Sequence, residues 1–268
     1  MKKNHLGKLL GAVVAAIAAV AFMAPFAQAA TPAPGYTQFT GCPSQAEKSY
    51  ITSCQHSTVE SGVVKMGNKE VPITSPITLT GGTDEELGNF TYNSQGGLSK
   101  VKLKVPGGVI GLTGLTWLAE LLGIEALTLY AETQLAGQPV IHSLQEFTLP
   151  VKIHLINGTL GNNCYVGSNT NPIVWNLTTG TSGKLTGTPP KVTFQESPEI
   201  LIAKSGKYVD NTWAAPGASG CVLTLFGFIP ISINGLVNTQ SGLPAAKGVN
   251  EVTQIITTEV AAEEVVYP

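Results

Sequence analysis

The feature of this sequence that most constrains its fold is an alternating segment, residues 147–155, in which every second residue is apolar. The apolar members are Phe147, Leu149, Val151, Ile153 and Leu155. Successive side chains of a β-strand point to opposite faces of the sheet, so the pattern predicts a strand that buries one face. Pro150 cannot donate a backbone hydrogen bond, which predicts that the strand lies at a sheet edge or is bulged there.

Similar short segments recur along the chain. Residues 62–66 and 69–73 flank Gly67-Asn68, a two-residue hairpin signal. The other predicted strands are 77–80, the region of Phe90 and Tyr92, 101–105, 127–132, 173–178, 192–194 and 252–260. We expect Gly81-Gly82 to turn the chain, and residues 222–233 to form either a strand or a short helix.

Many short strands separated by Gly and Pro are typical of a sandwich or a closed sheet. We therefore predict a mainly β fold, a β-sandwich of short antiparallel strands. Leucines between a capping threonine and Gly123 predict one short helix near residues 113–122.

The first residues are typical of a secretory signal. Lys2, Lys3 and Lys8 precede an apolar stretch, and Ala27-Gln28-Ala29 matches the small-x-small cleavage pattern. We therefore expect residues 1–29 to be a signal peptide. The alternative is an uncleaved membrane anchor, because the apolar stretch approaches spanning length.

The rest of the chain, residues 30–268, is predicted to form a single domain, since it contains neither an internal repeat nor a long linker. Its first part, residues 30–58, shows no clear periodicity and is bracketed by cysteines.

Four cysteines follow the signal segment, an even number that suggests disulfides in an oxidising compartment. Three pairings are possible. We favour Cys42–Cys54 with Cys164–Cys221, because closure between the nearest cysteines in sequence is the simplest. The alternative, a reactive thiolate, requires a free cysteine.

The charge composition excludes some functions. Charged residues make up 12% of the chain, every one of the 15 basic residues is lysine, and the formal net charge is -2. Proteins that bind nucleic acid rely on basic surfaces and on arginine, so no nucleic-acid partner is expected.

A serine hydrolase would need a serine, a histidine and an orienting carboxylate. No Gly-x-Ser-x-Gly motif is present, and the nearest match, Ser219, lies beside Cys221. Glu120, Glu125 and Glu132 have apolar neighbours, but we expect each to point outward because buried glutamates are rare unless paired.

Metal sites are equally poorly supported. His142 with Glu146, or His154, could contribute ligands, but no zinc spacing is present, and His154 alternates onto the same face as Lys152. The run Asp84-Glu85-Glu86 lacks the spacing of a calcium loop. We therefore predict no catalytic residue, no metal site and no cofactor.

Two further patterns have competing interpretations. Lys100, Lys102 and Lys104 could meet an anionic envelope polymer, but they more often protect an edge strand from pairing. The apolar runs 105–129 and 222–233 could line a lipid cavity or touch a membrane, although they are also the material of a large core.

Several segments, 106–117, 125–131, 164–168, 177–180, 209–211, 214–218 and 242–246, together resemble a family of exported actinobacterial proteins with no established activity. The resemblance spans most of the chain after the signal segment. It implies export and a shared fold, and it assigns no functional residue.

Our leading hypothesis is an exported, non-enzymatic protein that acts by surface contact or ligand binding, located in the medium or on the outer side of the cell envelope. The alternatives are a secreted hydrolase of polysaccharide or lipid ester, and a lipid-binding or membrane-active protein. An envelope polymer or a lipid is the possible partner.

Overall fold

The computed structural model describes residues 30–84, 88–108, 128–157, 161–225 and 229–268. The predicted signal peptide and the predicted helix 113–122 lie outside these ranges. The strands are β1 (Ser53–Met66), β2 (Lys69–Ile73), β3 (Ile77–Thr83), β4 (Phe90–Thr91), β5 (Gly97–Leu98), β6 (Lys102–Lys104), β7 (Tyr130–Leu135), β8 (Val140–Ser143), β9 (Glu146–Ile156), β10 (Tyr165–Val166), β11 (Ile173–Thr178), β12 (Thr181–Ser182), β13 (Leu185–Thr186), β14 (Lys191–Glu196), β15 (Glu199–Asp210), β16 (Ala218–Ser219), β17 (Val222–Leu225), β18 (Ile229–Ser232) and β19 (Glu251–Ala262).

Helical structure is sparse in the described residues. A 3₁₀ turn covers Thr37–Phe39, helix α1 covers Asn234–Ser241, and helix α2 covers Glu263–Val266. Helix α1 ends at Gly242, whose φ of 67° is the left-handed conformation that commonly closes a helix. Among the described residues, no helix is both long and apolar enough to cross a membrane.

One antiparallel sheet contains most of the strands. Its order is β16-β10-β9-β11-β15-β19-β1-β3-β4, with β14 on β15, β2 on β1, β5 on β3, β6 on β7, and both β7 and β8 on β9. Strand β2 lies near β6, and β5 lies near β7, so the two ends of the sheet approach each other. The predicted mainly β, sandwich-like architecture of antiparallel strands is confirmed, although four strands have 11 to 14 residues and are not short.

The main apolar core lies between the facing parts of this sheet. It combines Leu79 of β3, Leu149 of β9, Trp175 of β11 and Ile256 of β19, which are far apart in sequence. Each is an inward member of an alternating strand, as in the burial pattern of β11, where buried and exposed residues alternate from Ile173 to Leu177. Burial of this apolar surface is the main force holding the strands together.

The predicted hairpin at 62–73 is confirmed in its register. Met66 lies opposite Lys69, and Gly62 lies opposite Ile73, so Gly67 and Asn68 form the two-residue turn. Gly67 has a φ of 58°, a conformation that glycine adopts without steric cost.

The prediction of a turn at Gly81-Gly82 is wrong, because both glycines continue β3. They are required for close packing. A Cβ atom at Gly81 would collide with the ring of Phe90, and one at Gly82 would collide with Ile51 and crowd the sulfur of Cys42. Glycine inside a strand often marks such a close approach.

The prediction that Pro150 marks an edge or a bulge is also wrong. Strand β9 pairs with β11 on one side and with β7 and β8 on the other. The backbone of Pro150 faces the second side, where its carbonyl accepts a hydrogen bond from Ala136 N, at the gap between β7 and β8. Proline lacks a backbone N–H, and at Pro150 this N–H would have pointed to the gap, where no strand needs it as a hydrogen-bond donor.

Strands β17 and β18 pair with each other as an antiparallel hairpin, which is separate from the large sheet. The predicted disulfides, Cys42–Cys54 and Cys164–Cys221, are both confirmed. The first ties the irregular segment 30–52 to β1, where Phe39 and Ile51 pack with Val266 of α2 in a second core. The second joins the base of the β17–β18 hairpin to the start of β10.

Candidate functional site

Two internal cavities lie along the apolar interior. The first, cavity 1, offers about 50 Å³ to the centre of a water-sized molecule. Its apolar lining comes from Val59, Val64, Ile73, Ile77, Leu79, Leu98, Leu103, Ile141, Leu144, Phe147, Leu149 and Ile256. Its polar lining comes from Gln55, Ser57, Thr133, Ser143, Trp175, Tyr208, Gln254 and Thr258.

One wall of cavity 1 is a chain of neutral hydrogen-bonding groups. Gln55 Nε2 donates to Ser57 Oγ over 2.9 Å, and Ser57 Oγ lies 2.9 Å from Thr258 Oγ1. These residues take inward positions because Gln55 and Ser57 are two apart on β1, and because Ser57 lies directly opposite Thr258 on β19. The strands thus place polar side chains where the alternation elsewhere places apolar ones.

Trp175 adds an unsatisfied donor to this cavity. Its side chain is 1% exposed, and its Nε1 has no hydrogen-bond partner in the part of the chain that the structure describes. Buried polar groups are hydrogen-bonded in most proteins, so an unpaired indole N–H in a cavity wall calls for an acceptor supplied from elsewhere.

Tyr208 is already satisfied. Its hydroxyl donates to the carbonyl of Leu144, and burial raises the pKa of Tyr208 to about 12. The phenol therefore stays neutral near pH 7, and cavity 1 contains no charged side chain among its described lining residues.

The second space, cavity 2, offers about 60 Å³ to the centre of a water-sized molecule. It shares Val64, Leu103 and Thr133 with cavity 1, so the two are adjacent along the interior. The rest of its lining is almost wholly apolar and comprises Met66, Val71, Val105, Gly108, Leu129, Ala131, Ile153, Leu155, Val166, Val237 and Leu243, with Ser241 and Lys69 as the polar members.

Lys69 is the one charged residue in the described lining of cavity 2. It is half-buried at the start of β2, and within the described ranges no carboxylate lies at ion-pair distance from it. A lysine can lay its methylene chain along an apolar wall and keep its ammonium group in water. Both cavities are therefore mainly apolar; cavity 1 adds a wall of neutral polar groups, and cavity 2 has Lys69 at its lining.

The residues considered for catalysis lie on the opposite face of the sheet. Cross-strand pairing arranges Glu132, His154, Tyr165 and Ser219 in one row across β7, β9, β10 and β16. The His154 and Tyr165 rings stack with centroids 4.4 Å apart. Tyr165 therefore separates Ser219 from His154, whose Nε2 lies 3.1 Å from the Asn162 carbonyl oxygen, and a serine–histidine hydrogen bond is not formed.

Glu132 takes the outer face, as expected, but it is only 6% exposed and therefore buried. It lies between Lys102 of β6 and His154 of β9, and Gln134 Nε2 donates to its Oε1 over 2.7 Å. Glu132 is thus buried with a hydrogen-bond partner. Glu120 and Glu125 lie outside the described residues.

The residues considered as metal ligands are not brought together. His142 is exposed and its Nε2 lies 3.1 Å from Thr148 Oγ1, whereas Glu146 accepts a hydrogen bond from Thr178. Of the acidic run 84–86, Asp84 alone is described. Among the residues that the structure describes, no group of three potential ligands could hold a metal ion.

Lys102 and Lys104 are exposed on either side of buried Leu103, as the alternation predicts. Strand β6 pairs with β7 alone among the described strands, which agrees with the interpretation of the lysine stripe as edge protection.

Sequence reasoning did not find cavity 1. A signal was present in Gln55, Ser57 and Val59, which alternate on one face of a long strand, with polar residues at two of the three positions. Of the apolar run 105–129, which the sequence left open as core or as the lining of a lipid cavity, Val105, Gly108 and Leu129 line cavity 2. Residues 109–127 of that run lie outside the described ranges.

Comparison of the chain with protein-family models, with curated proteins and with solved structures finds no significant match.

Proposed function

We propose that this protein is an exported, non-enzymatic binding protein whose interior holds one uncharged amphiphile, an apolar chain that ends in a neutral oxygen-bearing group. The observation that carries the proposal is the pair of adjacent cavities that share Val64, Leu103 and Thr133 and differ in polarity. Ligand sites are typically apolar pockets with a few placed polar groups, which is the pattern of this lining.

The head of the ligand belongs in cavity 1. Trp175 lines this cavity and its Nε1–H has no partner among the described residues, so an alcohol, ester or amide oxygen of the ligand would supply the missing acceptor. A carboxylate is disfavoured, because a charge buried without a counter-charge costs far more than a neutral group, and the described wall of cavity 1 offers no cation.

The chain of the ligand belongs in cavity 2. Its lining is nearly all aliphatic, and its small volume of about 60 Å³ favours a single chain over a fused ring. Burial of each methylene group is worth about 0.8 kcal/mol, so the chain supplies most of the binding free energy and the head supplies orientation.

The geometry on the outer face favours binding over catalysis. The stacked ring of Tyr165 lies between Ser219 and His154, and none of these three residues lines either cavity. A hydrolase would need its nucleophile and base within hydrogen-bond reach of the bound substrate.

The test is calorimetric titration with dodecanol of the protein, of Thr133→Phe and of Val174→Phe. The first substitution fills the junction between the cavities, and the second adds the same ring on the outer face of β11, where Val174 is exposed. We expect Val174→Phe to bind as the unmodified protein does and Thr133→Phe to lose binding. Equal binding by all three proteins would overturn the proposed site.

Dodecanoate titrated at pH 7 gives an independent comparison that needs no variant. We expect the alcohol to bind at least about tenfold more tightly than the acid, because the described wall of cavity 1 lacks a cation. Tighter binding of the acid would assign the head to Lys69 instead and contradict the proposed orientation. This comparison stands even if Thr133→Phe does not fold.

A further inference from the structure

The β17–β18 hairpin presents apolar side chains to solvent. Ile229 and Ile231 are each 42% exposed, and Leu236, on the first turn of α1, is 46% exposed. Single exposed apolar residues are common on protein surfaces, but three within eight positions of the chain are a concentration that usually marks an interaction surface. We call these three residues the apolar tip.

The segment of the chain that carries the apolar tip contains no charged residue. From Asn211 to Ala246 the sequence contains no Asp, Glu, Lys, Arg or His. A partner that recognises charge would find no complementary group in this region. The apolar tip could enter an apolar phase with an uncharged surface without removing water from any charged group of this segment.

The hairpin is also held firmly at its base. The Cys164–Cys221 disulfide joins it to the start of β10, Cys221 N donates to Asn234 Oδ1 over 2.8 Å, and Ile233 N donates to the Cys221 carbonyl over 3.0 Å. Its two strands pair with each other from Val222 to Ser232. Their inner backbone groups are thus satisfied, and the headgroup region of a bilayer contains water for the outer ones.

The same region adjoins cavity 2. Val237 and Ser241 of α1 line that cavity, while Leu236 on the same helix is exposed. Asn68 N donates to the Ser241 carbonyl over 3.0 Å, so the end of α1 also contacts the turn before Lys69. A surface that engaged the apolar tip would therefore lie beside this part of the cavity lining.

We propose that the apolar tip docks this protein onto the surface of a lipid bilayer by shallow insertion of Ile229, Ile231 and Leu236. The docking is driven by burial of apolar surface and not by charge, so it takes place on zwitterionic lipid. Docking does not depend on a ligand in the cavities. Only the transfer of an amphiphile from the bilayer to cavity 2 would rest on the proposed function.

The test is co-sedimentation of the protein with phosphatidylcholine vesicles. The variant is Ile229→Thr with Ile231→Thr, which keeps the β-branched side chains that a strand favours and removes most of their apolar character. The matched control is Val192→Thr with Phe194→Thr on β14, where the two apolar residues are 50% and 62% exposed. Circular dichroism and dodecanol titration check that both variants fold.

We expect the hairpin variant to bind vesicles at least about tenfold more weakly than the unmodified protein, and the β14 variant to bind normally. Binding should persist in about 1 M NaCl, where charges are screened beyond about 3 Å. Equal binding by all three proteins, equal loss in both variants, or release by salt would each overturn the proposal. No vesicle binding by the unmodified protein, with dodecanol binding intact, would reject the docking alone and assign the tip to a protein partner.

Discussion

The indole rings of Trp175 and Trp213 meet edge to face, with centroids 5.9 Å apart, yet only one of the two N–H groups is satisfied. Trp213 Nε1 donates to the Asp210 carbonyl over 3.3 Å, whereas Trp175 Nε1 has no partner. Both residues are buried in the same core. The contrast identifies Trp175, which lines cavity 1, as the tryptophan whose donor is left without an acceptor.

This contrast gives a paired mutational prediction. Replacing either tryptophan by phenylalanine removes similar volume, but Trp213→Phe also leaves the buried Asp210 carbonyl without this donor. We expect Trp213→Phe to lower the free energy of unfolding by about 1 kcal/mol more than Trp175→Phe. Urea denaturation measures the difference, and a larger loss for Trp175→Phe would show that its N–H is already satisfied in the empty protein.

A second prediction concerns Asn250, which is fully buried. Its Oδ1 accepts from Gly67 N over 2.9 Å, and its Nδ2 donates to the carbonyls of Trp213, Ala245 and Ala246. Asn250→Ala leaves the Gly67 N–H and the three carbonyls without this partner, and each such group costs about 1–3 kcal/mol when it is buried and unpaired. We expect a loss of at least about 3 kcal/mol in urea denaturation.

The control for Asn250 is Asn176→Ala, because Asn176 is exposed. Its loss should stay below about 0.5 kcal/mol, as for most surface substitutions. Equal effects of the two alanines would mean that the bonds of Asn250 contribute little to stability.

The two disulfides should contribute unequally. They join residues 12 and 57 positions apart. In the chain-entropy treatment a longer loop restricts the unfolded chain more, which gives about 3 kcal/mol for Cys42–Cys54 and about 4 kcal/mol for Cys164–Cys221. Double alanine variants compared by urea denaturation check the order, and a larger loss for the shorter loop would point to an effect on the native state instead.

Stability should also depend on His56. Burial lowers the pKa of His56 below its ordinary value of 6.5, although Glu259 opposes the shift. Its Nδ1 lies 2.7 Å from Thr80 Oγ1 on the neighbouring strand. Below pH 6.5 His56 takes up a proton in the unfolded chain more readily than in the folded chain, so the free energy of unfolding falls as the pH drops. Above pH 6.5 His56 is mainly neutral in both states, so its effect on the free energy of unfolding no longer changes with pH.

We expect His56→Gln to flatten this dependence, measured by urea denaturation between about pH 7.5 and 5.5. The two proteins differ only at residue 56, so the difference between the two curves reports the effect of His56. Parallel curves would contradict the assignment.

Local patterns predicted much of the fold. The hairpin of residues 62–73 was predicted with its turn and register, because alternation and a Gly-Asn pair act over neighbouring residues. The roles of Gly81 and Pro150 were mispredicted, because each depends on distant partners. Phe90 of β4 packs against Gly81, and Pro150 lies opposite the gap between β7 and β8.

The candidate site was less predictable for the same reason. Gln55, Trp175 and Tyr208 line cavity 1 together only because the sheet curves. The residues next to each of them in the sequence do not indicate that the three share a cavity. Alternation assigns Trp175 to the core, but it does not show that its N–H lacks a partner. Export, the identity of the ligand and bilayer docking stay predictions.

The most direct test of the proposed binding site is a crystal structure of the protein soaked with dodecanol that carries bromine at the end of its chain. Anomalous scattering locates the bromine, and the electron density locates the hydroxyl. We predict the bromine in cavity 2, near Val166 and Val237, and the hydroxyl oxygen within hydrogen-bond distance of Trp175 Nε1. Bromine at the Gln55 end, or an interior without ligand while the alcohol binds elsewhere, would contradict the assignment of the two cavities.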